Sequence, residues 1–121
     1  GRRTSAGELP ETWNIERKET IRKIHQSYFE AGSDIVLTNT FGANALKFHD
    51  ENCSLKAIID AAVENVRFGA KAALRDGRDY YVALDIGPTG KLLKPLGDLS
   101  FEDAHEAFKE VVQYGEKAGQ I

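Results

Sequence analysis

The sequence predicts an α/β fold in the order helix, strand, helix, strand, helix, with the two strands parallel. Three observations carry this. Apolar residues recur at helical spacing in three segments, two short apolar runs fall between them, and glycine or small polar residues punctuate the joins. Strands that alternate with helices imply β-α-β crossovers, which lay the strands side by side in one direction.

The first dozen residues, Gly1 to Thr12, are polar, include Arg2 and Arg3, and show no period, which reads as a loop or tail. Beyond Asn14, Ile21, Ile24, Tyr28 and Ala31 step by three and four along one stripe of a helix, and Gly32 is placed to stop it. Asp34-Ile35-Val36-Leu37-Thr38 has no alternation and two β-branched residues, so it predicts a strand buried on both faces. Asn39-Thr40-Phe41-Gly42-Ala43-Asn44 is then a loop. A second helix is predicted from Ser54 to Arg75, with Leu55, Ile58, Ile59, Ala62, Val63, Val66, Ala70, Ala73 and Leu74 in helical register and Gly77 closing it. Tyr80 to Ile86 predicts the second strand, followed by the loop Gly87-Pro88-Thr89-Gly90. Ser100-Phe101-Glu102-Asp103 has capping-box spacing. Behind it Phe101, Ala104, Phe108, Val111, Val112 and Gly115 line one face of a third helix, and Ile121 reads as the first residue of a further strand.

Length and composition set bounds. The chain has 121 residues, one domain by length, and 16 Lys+Arg against 19 Asp+Glu leave a net charge of −3. That excludes a general nucleic-acid binder, which needs a basic surplus on one face. No apolar run is long enough for a bilayer, so no membrane partner is expected. The single cysteine, Cys53, rules out an internal disulfide framework and fits a reducing, cytoplasmic setting. With no Met in the chain, Gly1 is not read as a natural start, and an excerpt or processed piece is expected. A complete (β/α)8 barrel takes roughly 250 residues. Two strands leave open edges and apolar faces, so the expectation is part of a larger barrel, joined by the remaining barrel segments or assembled as a homo-oligomer.

In parallel α/β folds ligands gather at the carboxyl ends of the strands. Two loops hold that position here. In the first, the carboxamide of Asn39 and the hydroxyl of Thr40 suit a zwitterionic amino acid, and equally suit a local role satisfying backbone groups at a strand end. In the second, Asp85 can hold an ammonium or act as a base, while Gly87 and Gly90 allow close backbone approach. Asp85 capping the following turn explains the same residue. The loop lacks the Gly-Lys-Ser/Thr ending of a P-loop. His49 and Cys53 have the i, i+4 spacing of zinc ligands, but Asp50, Glu51 and Asn52 beside them read as a solvated turn. His25 and His105 sit on helical stretches far from both loops and are expected at the surface or an interface. The charged residues of the last helix, such as Glu106, Lys109, Glu110, Glu116 and Lys117, read as a solvated face.

Gly7-Glu8-Leu9-Pro10-Glu11-Thr12-Trp13-Asn14, Ile24-His25 with Tyr28, Ala31-Gly32-Ser33-Asp34-Ile35, Thr38 to Asn44, and Asp85-Ile86-Gly87-Pro88-Thr89-Gly90 also form a familiar series. Ser100-Phe101-Glu102 and Glu116-Lys117-Ala118-Gly119 extend it. Through them the chain resembles the homocysteine S-methyltransferase family, most closely the homocysteine-binding module of its cobalamin-dependent, methionine-forming members. The resemblance implies a partial TIM (β/α)8 barrel, with residues 1–121 supplying the second and third β/α units. It implies an enzyme in which zinc binds the homocysteine sulfur as thiolate and a methyl group arrives from methylcobalamin or another donor. Asn39 and Thr40 at the second barrel strand, with Asp85 and Gly87 at the third, would line the homocysteine pocket.

The departures point the other way for this chain alone. The family's early Asp-Gly-Ala strand, its acidic residue at the fourth strand and its zinc cysteines are absent, and Cys53 matches none of them. No zinc or cobalamin is therefore expected on this chain, and no turnover by it alone. A non-catalytic, self-associating scaffold derived from the same barrel is the alternative from another class. A barrel enzyme binding a phosphorylated ligand at Gly87 to Gly90 is weaker, since no Lys or Arg stands in that loop.

Overall fold

The computed structural model describes residues 10–46, 48 and 54–119. After a 3-10 turn at Pro10–Thr12 come α1 (Trp13–Glu16), α2 (Lys18–Glu30), β1 (Ile35–Leu37), α3 (Leu55–Ala73), β2 (Tyr81–Ala83) and α4 (Phe101–Gly119). The strands are parallel and pair Ile35 with Tyr81, Val36 with Val82 and Leu37 with Ala83. A parallel pair needs a long crossover, and α3 provides it.

Helix α3 forms where the sequence places it. The Ser54 hydroxyl caps it by accepting the Ala57 N–H at 3.1 Å, satisfying one of the free donors of the first turn. Gly77 follows its end at φ +76°, a left-handed conformation that glycine takes without steric cost. Ile58, Ile59, Ala62 and Val66 are wholly buried, so α3 is the spine of the molecule. Each Ile or Val of that set contributes about 1.5–3 kcal/mol by leaving water. One core cluster joins Phe29, Val36, Val66 and Ala70 between α2, α3 and the sheet. The other joins Ala43, Phe48, Leu55, Ile58, Ile59 and Val111 under the loop after β1 and against α4.

Four expectations need correction. The N-terminal segment is not all tail: Pro10–Thr12 forms a turn and Glu11 is buried. The inner stripe of α2 is Ile21, His25 and Phe29, while Ile24, Tyr28 and Ala31 are exposed. Two stripes were available at helical spacing, and the close crossing at Gly69 selected this one: a Cβ there would lie 2.9 Å from His25 Cβ and 2.8 Å from the Gln26 nitrogen. Strand β1 is covered on one face only. Val36 is buried against the helices, whereas Ile35 and Leu37 stay 60% and 57% exposed on the side shared with Tyr81. On α4 the buried residues are Ala104, Ala107, Val111 and Ala118, so Phe101 and Val112 point outward. The Ser100 cap itself is present, its hydroxyl accepting the Asp103 N–H at 3.1 Å. The strand expected from Ile121 lies outside the described residues.

Candidate functional site

The loops after β1 and β2 meet because the strands are parallel neighbours, so both carboxyl ends lie at the same edge. Two threonines weld them. The Thr40 hydroxyl donates to the Asp85 carbonyl at 2.7 Å. Its only proton is then used, so the 2.7 Å contact between Thr38 Oγ1 and Thr40 Oγ1 has Thr38 as donor. Thr38 Oγ1 in turn accepts the Asp85 N–H at 3.1 Å. The result is a closed ring that starts and ends on the main chain of Asp85.

Asp85 is thereby fixed through its backbone, while its half-buried carboxylate makes no hydrogen bond or ion pair among the described residues. A fixed carboxylate with unused acceptors at a strand end is suited to hold a cationic group. Thr40 is buried and its hydroxyl is committed to the ring. Gly87 is buried because the second loop crosses the first: a Cβ there would sit 2.2 Å from the Phe41 carbonyl oxygen. The close approach that glycine allows is made to Phe41. Asn44 adds a further tie, its Nδ2 donating to the Pro88 carbonyl at 3.4 Å.

Asn39 lies on the flank of this pair. Its Nδ2 donates to the Pro10 carbonyl at 3.0 Å, and its own carbonyl accepts Asn14 Nδ2 at 2.7 Å. Asn14 Nδ2 also reaches the Glu11 carbonyl at 2.8 Å. Behind it, Asn65 Nδ2 donates to the Asn14 carbonyl at 2.9 Å, and Asn65 Oδ1 accepts from Arg22 Nε at 2.9 Å. A buried polar chain thus runs from α2 through α3 to the loop.

Sequence reasoning missed Glu11, Asn14 and Asn65. One signal was present. Asn65 falls on the stripe Ile58, Ala62, Asn65, Gly69, and a polar side chain on a buried face requires a partner. Nothing comparable marked Glu11, which reads as an ordinary exposed residue of a polar segment.

The histidines divide. His25 is buried in the seam between α2 and α3, and neither of its ring nitrogens has a hydrogen-bond partner among the described residues. Loss of water around the charged form pushes its pKa below the usual 6.5. His105 is exposed on α4. His49 and Cys53 lie outside the described residues, and among those described no three His, Cys, Asp or Glu side chains gather as a metal-holding group. A cleft of about 840 Å³ opens between α4 and residues 91–99, edged by Asp98, Asp103, Glu106 and Glu110. None of Asn39, Thr40, Asp85 or Gly87 lines it.

Parallel strands joined through a helix, with the two following loops meeting at their carboxyl ends, define an α/β protein. The homocysteine S-methyltransferase family matches residues 3–120, and the chain belongs to that family. It is 33% identical over 103 residues to a methionine synthase of Mycobacterium tuberculosis, covering 83% of this chain and 8% of that protein. To a methionine synthase of Mycobacterium leprae it is 30% identical over 102 residues, with the same coverage. The chain therefore spans less than a tenth of the length of these relatives. Among solved structures it is similar to the homocysteine methyltransferase MmuM of Escherichia coli in its oxidized form, with a TM-score of 0.75, 23% identity, and coverage of 93% of this chain and 44% of that one. The metallated form of MmuM gives a TM-score of 0.75 at 24% identity, over 89% of this chain and 42% of that chain. At such identities the two structures bear on the fold alone.

Proposed function

We propose that this chain supplies the second and third β/α units of a (β/α)8 barrel that transfers a methyl group to homocysteine, and that its two strand-end loops form one wall of the homocysteine pocket. The observation that carries this is the ring of hydrogen bonds holding Asp85 against Thr38 and Thr40 at 2.7–3.1 Å. It presents a carboxylate without a partner among the described residues, at the edge where barrel enzymes bind substrate. Asp85 holds the homocysteine ammonium, the Asn39 carboxamide flanks it, Gly87 lets the loops close together, and Thr40 fixes the Asp85 main chain from behind. Family membership supports the substrate class.

Zinc and a methyl donor such as cobalamin are assigned to parts of the enzyme outside this chain. A single cysteine cannot by itself make the multi-thiolate set that the family resemblance implies. By itself the chain is proposed to turn over nothing. A cytoplasmic setting rests on the lone cysteine.

Calorimetric titration of homocysteine into the full-length protein tests the assignment. Asp85→Ala is expected to weaken binding at least tenfold, and Glu116→Ala on the exposed face of α4 to leave it unchanged. Equal affinity of the Asp85 variant and the parent removes Asp85 from the pocket.

A second reading, a scaffold that buries its open sheet face against a copy of itself, is favoured by the exposure of Ile35, Leu37 and Tyr81. It separates from the first by homocysteine binding, which a scaffold does not need.

A further inference from the structure

The buried carboxylate of Glu11 is only half used by the hydrogen bonds around it. It is 6% exposed, and its Oε1 accepts the Gly42 N–H at 2.6 Å across 31 residues of sequence. Its Oε2 is buried with no hydrogen-bond partner among the described residues. A carboxylate that uses one oxygen and leaves the other dry destabilises the folded chain relative to a neutral acceptor of similar shape. What it adds is a short, charge-assisted bond to one amide.

That amide belongs to the middle of the 38–44 loop. At position 42 a Cβ would lie 2.6 Å from Glu11 Oε1, so only glycine admits the carboxylate. The turn and the start of α1 grip the loop a second time, through Asn14 Nδ2 on the Asn39 carbonyl and Asn39 Nδ2 on the Pro10 carbonyl. The grip is anchored on rigid helix, since Asn65 of α3 and Arg22 of α2 back Asn14. Loops that carry binding groups gain precision when held from a helical scaffold.

We infer that Glu11 is a positioning residue: through the Gly42 amide it fixes the loop that presents Asn39 to homocysteine, an inference that rests on the pocket assigned above. It touches neither substrate nor cofactor. It acts by removing the loop's freedom before the ligand arrives.

The test uses the full-length protein with homocysteine as the probe and compares Glu11→Ala, Glu11→Asp and Glu11→Gln. Amide hydrogen exchange over residues 38–44 reads the clamp, and calorimetry reads affinity. In Glu11→Ala, Gly42 exchange is expected to rise at least tenfold and homocysteine Kd at least tenfold, with exchange in the middle of α3 unchanged. Glu11→Gln keeps an acceptor at the same reach and is expected to restore Kd to within threefold of the parent. Glu11→Asp falls short by one methylene and is expected to behave as the alanine variant, so the comparison of Asp with Gln decides the matter should Glu11→Ala not fold. Unchanged Gly42 exchange in both Ala and Asp variants overturns the inference, as does faster exchange with unaltered affinity. A parent protein that binds no homocysteine sinks the pocket and this inference together. Parent binding matched by all three variants sinks this inference alone.

Discussion

The hydroxyl of Thr40 donates to the main-chain carbonyl of Asp85 at 2.7 Å, joining the carboxyl ends of the two strands across 45 residues of sequence. The Thr38 hydroxyl passes its proton toward Thr40 and accepts the Asp85 N–H, so one main-chain residue is held by both of its polar groups. Buried rings of this kind have every donor and acceptor paired, which makes their members hard to replace.

Thr40→Val keeps the side-chain shape and removes the hydroxyl. It leaves the Asp85 carbonyl and the Thr38 proton without partners in a buried place. A loss of about 1–3 kcal/mol is expected from urea unfolding, the cost of orphaned buried polar groups. A variant as stable as the parent would show that the ring is not a stabilising contact.

Two glycines make a matched pair. Gly87→Ala forces a Cβ to within 2.2 Å of the Phe41 carbonyl oxygen, so one loop must move, and about 1–3 kcal/mol of stability is expected to go with it. Gly119→Ala meets nothing within 4 Å among the described residues. It is expected to be neutral or to stabilise by up to about 1 kcal/mol through helix propensity. Thermal unfolding of the two variants side by side checks the contrast.

His25 gives the chain an acid-sensitive seam. Burial holds its folded pKa below 6.5. Well above that pH the ring is neutral in both states and contributes no pH dependence. As pH falls through 6.5 the unfolded chain binds the proton first, so stability declines, and the decline levels off once pH is below the folded pKa. His25→Leu loses no ring hydrogen bond to the described residues and is expected to flatten this segment of the stability–pH curve. Identical acid slopes for the variant and the parent would assign the slope to other groups.

The face of the sheet away from the helices carries Ile35, Leu37 and Tyr81, each more than half exposed. Apolar surface in one patch beside open strand edges drives association. The isolated chain is expected to self-associate at micromolar concentration in light scattering, and Leu37→Lys with Tyr81→Lys to reduce it. A stable monomer of the parent chain would refute this.

What was legible in the sequence was local or periodic. Helix α3 announced itself through nine apolar positions in register and its Ser54 cap, and glycine 77 marked its end, because spacing and capping act within a few residues. The strand-end loops were legible for a related reason: alternation of helix and strand fixes the strands parallel and so brings Asn39, Thr40, Asp85 and Gly87 to one edge.

The stripe of α2 was not decided this way, since both Ile21-His25-Phe29 and Ile21-Ile24-Tyr28 satisfy the same spacing. Packing distinguishes them: His25 approaches Gly69 and Phe29 joins the cluster with Val36, Val66 and Ala70. Likewise the one-sided cover of β1 depends on which faces the helices of this chain reach.

By itself, then, the sequence determined the order of the main helices and the two strands, the family, and the edge at which the two loops meet. Tertiary structure decided how the edge is built: that Thr40 braces Asp85, that Gly87 yields to Phe41, and that Glu11 reaches Gly42 from far along the chain. The physical reason is range. Periodicity and capping are set by neighbours, whereas a buried hydrogen bond between residues 31 or 45 positions apart exists only after packing has brought its ends together.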